Sequence, residues 1–241
     1  MNAAHASVDL HAYQGWLFDL DGVLTKTAVV HAAAWKQAFD EFLDEEAKRS
    51  GKTFAPFDSQ ADYARYVDGE PRADGVRHFL KARDVELPEG SDDDAPTVRT
   101  VAGLGNRKNE LVLQVLHDKG VEAYPGAVAL VQLLRSHGVP RAVVSASENT
   151  QAALEAAGIS ELFDARIDGR VVKQRHLAGK PAPDSYLEGA KALGVLPSRA
   201  VVVEDALAGV EAGRAGKFGL VIGVDHHDRA DQLRAHGADV V

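Results

Sequence analysis

The sequence predicts an α/β fold, a doubly wound parallel sheet with a helical segment inserted after its first strand. Three observations predict it. Short apolar runs of strand length lead into Asp19-Leu20-Asp21 and recur over Arg141–Ser147, Ala200–Asp205 and Gly219–Val224. From Tyr124 onward these runs alternate with helical periodicity, the pattern of a parallel sheet covered on both faces. Between about Thr25 and Val121 there are helices and loops but no convincing strand.

Composition bounds the functional classes. The chain has 241 residues, 45% of them apolar and 26% charged, as in an ordinary globular protein with room for a core and a smaller insert. Its net charge of −9 argues against non-specific nucleic-acid binding and against an anionic membrane surface. An anionic substrate must therefore be drawn in by a local cluster of cations. There is no cysteine, hence neither a disulfide framework nor a thiolate metal site. The stretch Met1–Asp9 lacks the apolar core of a signal peptide, and no run reaches the length of a membrane span. A cytoplasmic monomer is expected.

In chain order, Trp16–Phe18 reads as a buried strand and Gly22 as the turn that follows it. Helical periodicity runs from His31 to about Lys48 and is stopped by Ser50-Gly51. It resumes at Ser59–Val67, at Asp74–Lys81 and from Asn106 to about Lys119. Leu87–Thr100, with Pro88, Gly90, Asp92–Asp94 and Pro96, reads as a surface loop whose aspartates are solvated. Pro125-Gly126 opens an amphipathic helix to His137. A strand at Arg141, a helix through Ala157, a short segment Phe163–Ile167, a helix opened by Gly179–Pro183, a strand at Ala200, a helix to Ala215 and a strand at Gly219 complete the alternation. Asp239-Val-Val241 reads as the start of a last strand, and His226-His227 as an exposed turn.

Three strands thus end in chemistry: Asp19 and Asp21, Ser145 and Ser147, Glu204 and Asp205. Residues i and i+2 of an extended chain share a face, so Asp19 and Asp21 can enter one site. Two carboxylates so close call for a cation or a shared proton. By themselves they fit a hard divalent metal, an acid/base pair or both, and a solvated Asp-rich turn is the plainer alternative. Open parallel sheets bind ligands beyond the carboxyl ends of their strands, where all these residues would converge. Lys180, placed at the head of a helix, adds a cation. Four acids, a hydroxyl and a lysine suit a divalent metal and a phosphoryl group, and oxygen ligands favour Mg²⁺ over zinc.

The segments Asp19-Leu-Asp-Gly-Val-Leu-Thr25, Val143-Val-Ser-Ala-Ser147, Gly179-Lys-Pro-Ala-Pro-Asp184 and Val203-Glu-Asp-Ala206, in that order, resemble the haloacid dehalogenase superfamily of phosphotransferases over nearly the whole chain. Within it, Thr27-x-x-x-His31-x-x-x-Trp35, Gly69-Glu-Pro-Arg72, Arg107-Lys108-Asn109 and Ser145-Ala-Ser-Glu-Asn149 resemble the β-phosphoglucomutase-like branch. The resemblance implies a Rossmann-like core over 1–24 and 122–241 and a helical cap over 25–121. It implies Asp19 as nucleophile, Asp21 as general acid/base, and Ser145 and Lys180 as further catalytic residues. It implies one Mg²⁺ per chain, held by Asp19, the carbonyl of Asp21, Glu204 and Asp205. The amides near Leu20 and Ala146 would cradle phosphoryl oxygens. Thr27, His31, Trp35, Gly69, Arg72, Lys108, Ser147 and Asn149 would contact a small phosphorylated sugar.

The activity implied is the interconversion of β-D-glucose 1-phosphate and D-glucose 6-phosphate through β-glucose 1,6-bisphosphate. A phosphatase of small sugar phosphates is the alternative, and a non-catalytic sugar-phosphate binder would not need the intact nucleophile motif. The chain departs from the branch at Lys26, where Asp is usual. It also carries extra residues near Arg49–Asp58 and Glu89–Val98, and it stops where the family usually adds a last helix.

Overall fold

The computed structural model describes residues 9–226 and 228–241, so the expectations for Met1–Val8's share of the N-terminus and for His227 lie outside the described residues. Contacts divide the chain into two compact units, one formed by the residues up to Thr25 with Ala123–Val241, the other by Lys26–Glu122.

The first unit opens with β1 (Gly15–Phe18), whose four residues are all buried. Trp16 and Phe18 enter one apolar cluster and Leu17 another, as alternation along a strand dictates.

The second unit follows, with α1 (Thr27–Ser50), α2 (Arg72–Lys81) and α3 (Val101–Lys119), and a π-helical turn at Tyr63–Val67. An aromatic ladder fills its core. Trp35 stacks on Phe39 with centroids 4.8 Å apart, Phe39 lies 4.0 Å from Phe79, and Phe57 meets Phe79 edge-on at 5.3 Å. Both sequence extensions fold back onto this core. Asp40 accepts the Phe57 amide at 2.7 Å, and Lys36 donates to Asp40 and to the Phe57 carbonyl. Asp94 accepts the Thr100 hydroxyl at 2.6 Å, so this aspartate is held inside its loop instead of being solvated. Arg99 reaches back to Glu46 on α1 and lies over the Phe42 ring. Helix α3 starts at Val101, capped by the Thr100 side chain, five residues before the sequence-based expectation.

The chain returns to the first unit through α4 (Pro125–Ser136), β2 (Arg141–Val144), α5 (Thr150–Ala156), β3 (Ala165–Ile167), α6 (Gly169–Gln174), α7 (Asp184–Ala192), β4 (Ala200–Glu204), α8 (Leu207–Ala215), β5 (Leu220–Gly223) and α9 (Ala230–Ala235). The strands form one parallel sheet in the order β3-β2-β1-β4-β5. The near-continuous apolar strands carry helices on both faces, as a doubly wound sheet requires. The C-terminal residues lie beside β5 through a single parallel bridge, Ile222–Val240, with the Gly223 amide donating to the Val240 carbonyl and the Asp239 amide to the Val221 carbonyl. Helices α6 and α9 were not anticipated: α6 is six residues long, capped by Asp168, and rich in β-branched valine.

The order reverses between β1 and β4. A doubly wound sheet opens a crevice at such a point, beyond the carboxyl ends of the strands. Phe18 pairs with Val203, so the next residues, Asp19 and Glu204, stand side by side there.

Candidate active site

Asp19 follows β1 directly, and its amide donates to the Val203 carbonyl at 2.9 Å. The chain then turns sharply. The Leu20 carbonyl accepts from the amides of Leu24 and Thr25, and Gly22 takes a φ of +86°. Glycine is required there twice over. A left-handed φ disfavours other residues, and a Cβ would lie 2.0 Å from Asp205 Oδ2. Asp21, half-buried, sits on this turn between the two.

Lys180 is the hub. Its ammonium donates to Asp19 Oδ1 at 2.6 Å and to Glu204 Oε1 at 2.5 Å, and all three side chains are buried. It does not head a helix. Pro181 and Pro183 delay α7 to Asp184, and Lys180 lies in the preceding loop. Glu204 is fixed from both oxygens: the Tyr186 hydroxyl donates to Oε1 at 3.2 Å, and the amides of Asp205 and Ala206 donate to Oε2 at 2.8 Å. Tyr186 also lies under the Lys180 ammonium, 4.9 Å from its ring centre.

Burial pushes the Asp19 carboxyl well above the usual carboxylate range. Glu204 and Asp21 push the same way, and Lys180 opposes them. Burial alone would lower Lys180, but Asp19 and Glu204 outweigh it and hold the ammonium well above its ordinary value. Two unit charges 4 Å apart interact by about 4 kcal/mol at an effective dielectric near 20, so one ammonium against this many acids leaves the cluster short of positive charge.

One carboxylate oxygen from each of Asp19, Glu204 and Asp205 lies within 4.8 Å of the others. An all-oxygen set of buried anions fits a hard divalent cation such as Mg²⁺. Ser145 follows β2, is buried, and its hydroxyl accepts the Ser147 amide at 3.1 Å. The Ser147 hydroxyl accepts the Asn149 amide at 3.2 Å, so the Ser145–Asn149 loop, Ala146 included, is wound tightly before α5.

The second unit gathers a different group. Lys108, buried on α3, donates to His31 Nδ1 at 2.6 Å and lies 4.8 Å from the Trp35 ring centre. Thr27 begins α1 and is buried. Gly69, at φ +72°, turns the chain before α2. Arg72 begins α2 and runs along α3: a Cβ at Gly105 would lie 3.3 Å from Arg72 Cγ and 3.4 Å from Cδ. Lys26 pairs with Glu122, and its amide donates to the Glu122 carbonyl at 2.8 Å, tying together the two ends of this unit.

Tyr186 and Gly209 escaped the sequence reading. The signal for Tyr186 was a hydroxylated aromatic in the first turn after Lys180-Pro181. The signal for Gly209 was a glycine in the first turn after the Glu204-Asp205 pair.

A family model for haloacid dehalogenase-like hydrolases matches residues 13–217, which carry every one of these core acids, Ser145 and Lys180. The chain belongs to the haloacid dehalogenase-like hydrolase family. It is an enzyme of that kind, and the resemblance seen in its motifs is borne out. It is 50% identical to a β-phosphoglucomutase of Mycobacterium tuberculosis over 93% of this chain and 87% of that one. It is 32% identical to a fructose-1-phosphate phosphatase of Escherichia coli over 87% of this chain and 95% of that one. Its fold matches a crystal structure of β-phosphoglucomutase from Clostridium difficile with a TM-score of 0.73 at 24% identity, covering 95% of this chain and 90% of that one. No described helix is long and apolar enough to cross a membrane.

Proposed function

We propose that this chain is a Mg²⁺-dependent phosphotransferase that interconverts β-D-glucose 1-phosphate and D-glucose 6-phosphate by way of β-glucose 1,6-bisphosphate. The observation that carries the reading is the Lys180 bridge between Asp19 and Glu204, in a chain half identical to a β-phosphoglucomutase.

In the first half-reaction an Asp19 carboxylate oxygen forms a bond to phosphorus while the bond from phosphorus to the sugar oxygen breaks. Asp21 gives that leaving oxygen its proton. In the second half-reaction a sugar hydroxyl gives its proton to Asp21 as its oxygen takes the phosphoryl group from Asp19. Ser145, Lys180 and the amides of Leu20 and Ala146 hold the phosphoryl oxygens, where donors are most effective if fixed beforehand. A magnesium ion held by Asp19, the Asp21 carbonyl, Glu204 and Asp205 would supply the positive charge that lets an anionic carboxylate meet an anionic phosphate. Arg72 suits bidentate contact with the second phosphate, and Lys108 serves as a buried point charge. Thr27, His31, Trp35, Gly69, Ser147 and Asn149 complete the contacts to the sugar phosphate. The protein is taken to act as a cytoplasmic monomer.

A phosphatase of small sugar phosphates is the second reading, supported by the likeness to the fructose-1-phosphate phosphatase. The two differ in whether a sugar hydroxyl or water receives the phosphoryl group. Incubation with β-glucose 1-phosphate, a catalytic amount of the bisphosphate and Mg²⁺ separates them. Glucose 6-phosphate in large excess over free phosphate is expected; free phosphate as the main product would overturn the mutase reading in favour of the phosphatase.

A further inference from the structure

The loop that carries Asp21 is braced from outside by a residue with no part in the chemistry described above. His226, just past β5, is exposed on one side, yet its Nε2 lies 2.6 Å from the Gly22 carbonyl. A carbonyl can only accept, so Nε2 carries the proton and donates it. The same imidazole stacks on Tyr124, with centroids 4.8 Å apart and planes inclined by 15°. Tyr124 in turn donates its amide to the Leu24 carbonyl at 2.9 Å. The stacked pair therefore grips the aspartate turn at two points, Gly22 and Leu24. A few residues further on, Arg229 donates to the Asp205 carbonyl at 3.4 Å. One connection after β5 thus touches both loops that bear the acids.

We infer that His226 is a positioning residue that sets the direction of Asp21 through the Gly22 carbonyl. The physical reason lies in the turn itself. Gly22 has a left-handed φ, no side chain to lock it, and Asp205 Oδ2 packed where a Cβ would be. Such a peptide has alternatives open to it unless something outside holds its carbonyl. Proton transfer needs donor and acceptor within hydrogen-bond reach, and a misplacement of about 1 Å can cost roughly 10²-fold. The inference rests on the assignment of Asp21 as general acid/base.

The test exploits leaving groups. A sugar oxygen leaves poorly and needs its proton from Asp21, whereas a nitrophenolate leaves without one. Turnover of β-glucose 1-phosphate and the first-turnover burst of nitrophenolate from 4-nitrophenyl phosphate, which comes before any proton passes to Asp21, are measured for the wild type, His226→Phe, His226→Gln and Asp21→Asn, with folding checked by thermal unfolding. Phenylalanine keeps the stack and loses the donor; glutamine keeps a donor.

The expected result is a loss of about tenfold or more in kcat for the sugar phosphate in His226→Phe. KM and the rate of the nitrophenolate burst should change less than about twofold, and His226→Gln should recover most of the loss. Asp21→Asn should show the same selectivity, more strongly. Equal losses on both substrates in His226→Phe, or no loss, alongside a selective Asp21→Asn, would overturn the role of His226 and leave Asp21 standing. An unselective Asp21→Asn would overturn the acid/base assignment itself, and the positioning role with it.

Discussion

Gly209 has no side chain because Glu204 occupies the space: a Cβ at position 209 would lie 1.7 Å from Glu204 Oε1 and 2.0 Å from its Cδ. Glu204 cannot step aside cheaply, since its two oxygens hold Lys180, Tyr186 and two backbone amides. Breaking a buried ion pair costs about 3–5 kcal/mol, against which alanine returns about 1 kcal/mol of helix propensity in α8. Gly209→Ala is therefore expected to lower Tm by roughly 5–15 °C, as about 2–4 °C accompanies each kcal/mol in a chain of this size. Thermal unfolding measures it, and an unchanged or raised Tm would show that Glu204 has another place to go.

Lys180→Met should expose the charge balance of the cluster. Without the ammonium, Asp19 and Glu204 remain buried and uncompensated, a loss of about 3–5 kcal/mol. A bound divalent cation stabilises the folded state in proportion to RT ln(1 + [L]/Kd). Mg²⁺ should accordingly raise the Tm of Lys180→Met more than that of the wild type. Equal shifts in the two proteins would mean that Lys180 and the cation do not share the same carboxylates.

The second unit should weaken in acid through Glu46. Its bonds to Arg49, at 3.0 and 2.7 Å, and then to Arg99, hold this carboxyl below its ordinary value of 4.5. Because the folded-state value is the lower one, its contribution is complete above the ordinary value and is lost as pH falls through the depressed one. Urea unfolding of the wild type and Glu46→Gln, followed from pH 7 to pH 3, should show the wild type more stable at neutral pH and the difference shrinking below about pH 4.5. A constant difference across that range would remove the ion pairs from the account.

Gly105 should matter through Arg72, whose stem covers it. Gly105→Val puts a branched Cβ 3.3 Å from Arg72 Cγ and 3.4 Å from Cδ and crowds the arginine stem. It should reproduce the loss caused by Arg72→Ala, about 10–150-fold in kcat/KM for β-glucose 1-phosphate, the weight of one charge-assisted contact. The double variant should be no worse than either single one, because both remove the same interaction. Additive losses would give Gly105 a separate role.

The sheet was legible because its central strands are buried on both faces and read as plain apolar runs: Trp16–Phe18, Ala142–Val144 and Val201–Val203 admit little else. The acids were legible because they stand at the ends of those runs. What escaped depended on contacts remote in sequence. Gly103 and Gly105 argue locally against a helix, yet α3 passes through both, because the Val98 carbonyl and the Arg72 stem fill the places of their missing side chains. Lys180 was expected on a helix, and two prolines keep it off one. His226 read as a surface turn and is indeed exposed, but nothing near it in sequence announces Gly22, which lies 204 positions earlier.

The measurement closest to the centre of this account is the site of phosphorylation. Wild-type protein and Asp19→Asn are mixed with Mg²⁺ and β-glucose 1,6-bisphosphate, quenched in acid within the first turnover, digested and analysed by mass spectrometry. One phosphoryl group on Asp19 in the wild type, with none in Asp19→Asn and no turnover by that variant, is the predicted result. A phosphoryl group on any other residue, or turnover that survives in Asp19→Asn, would contradict it.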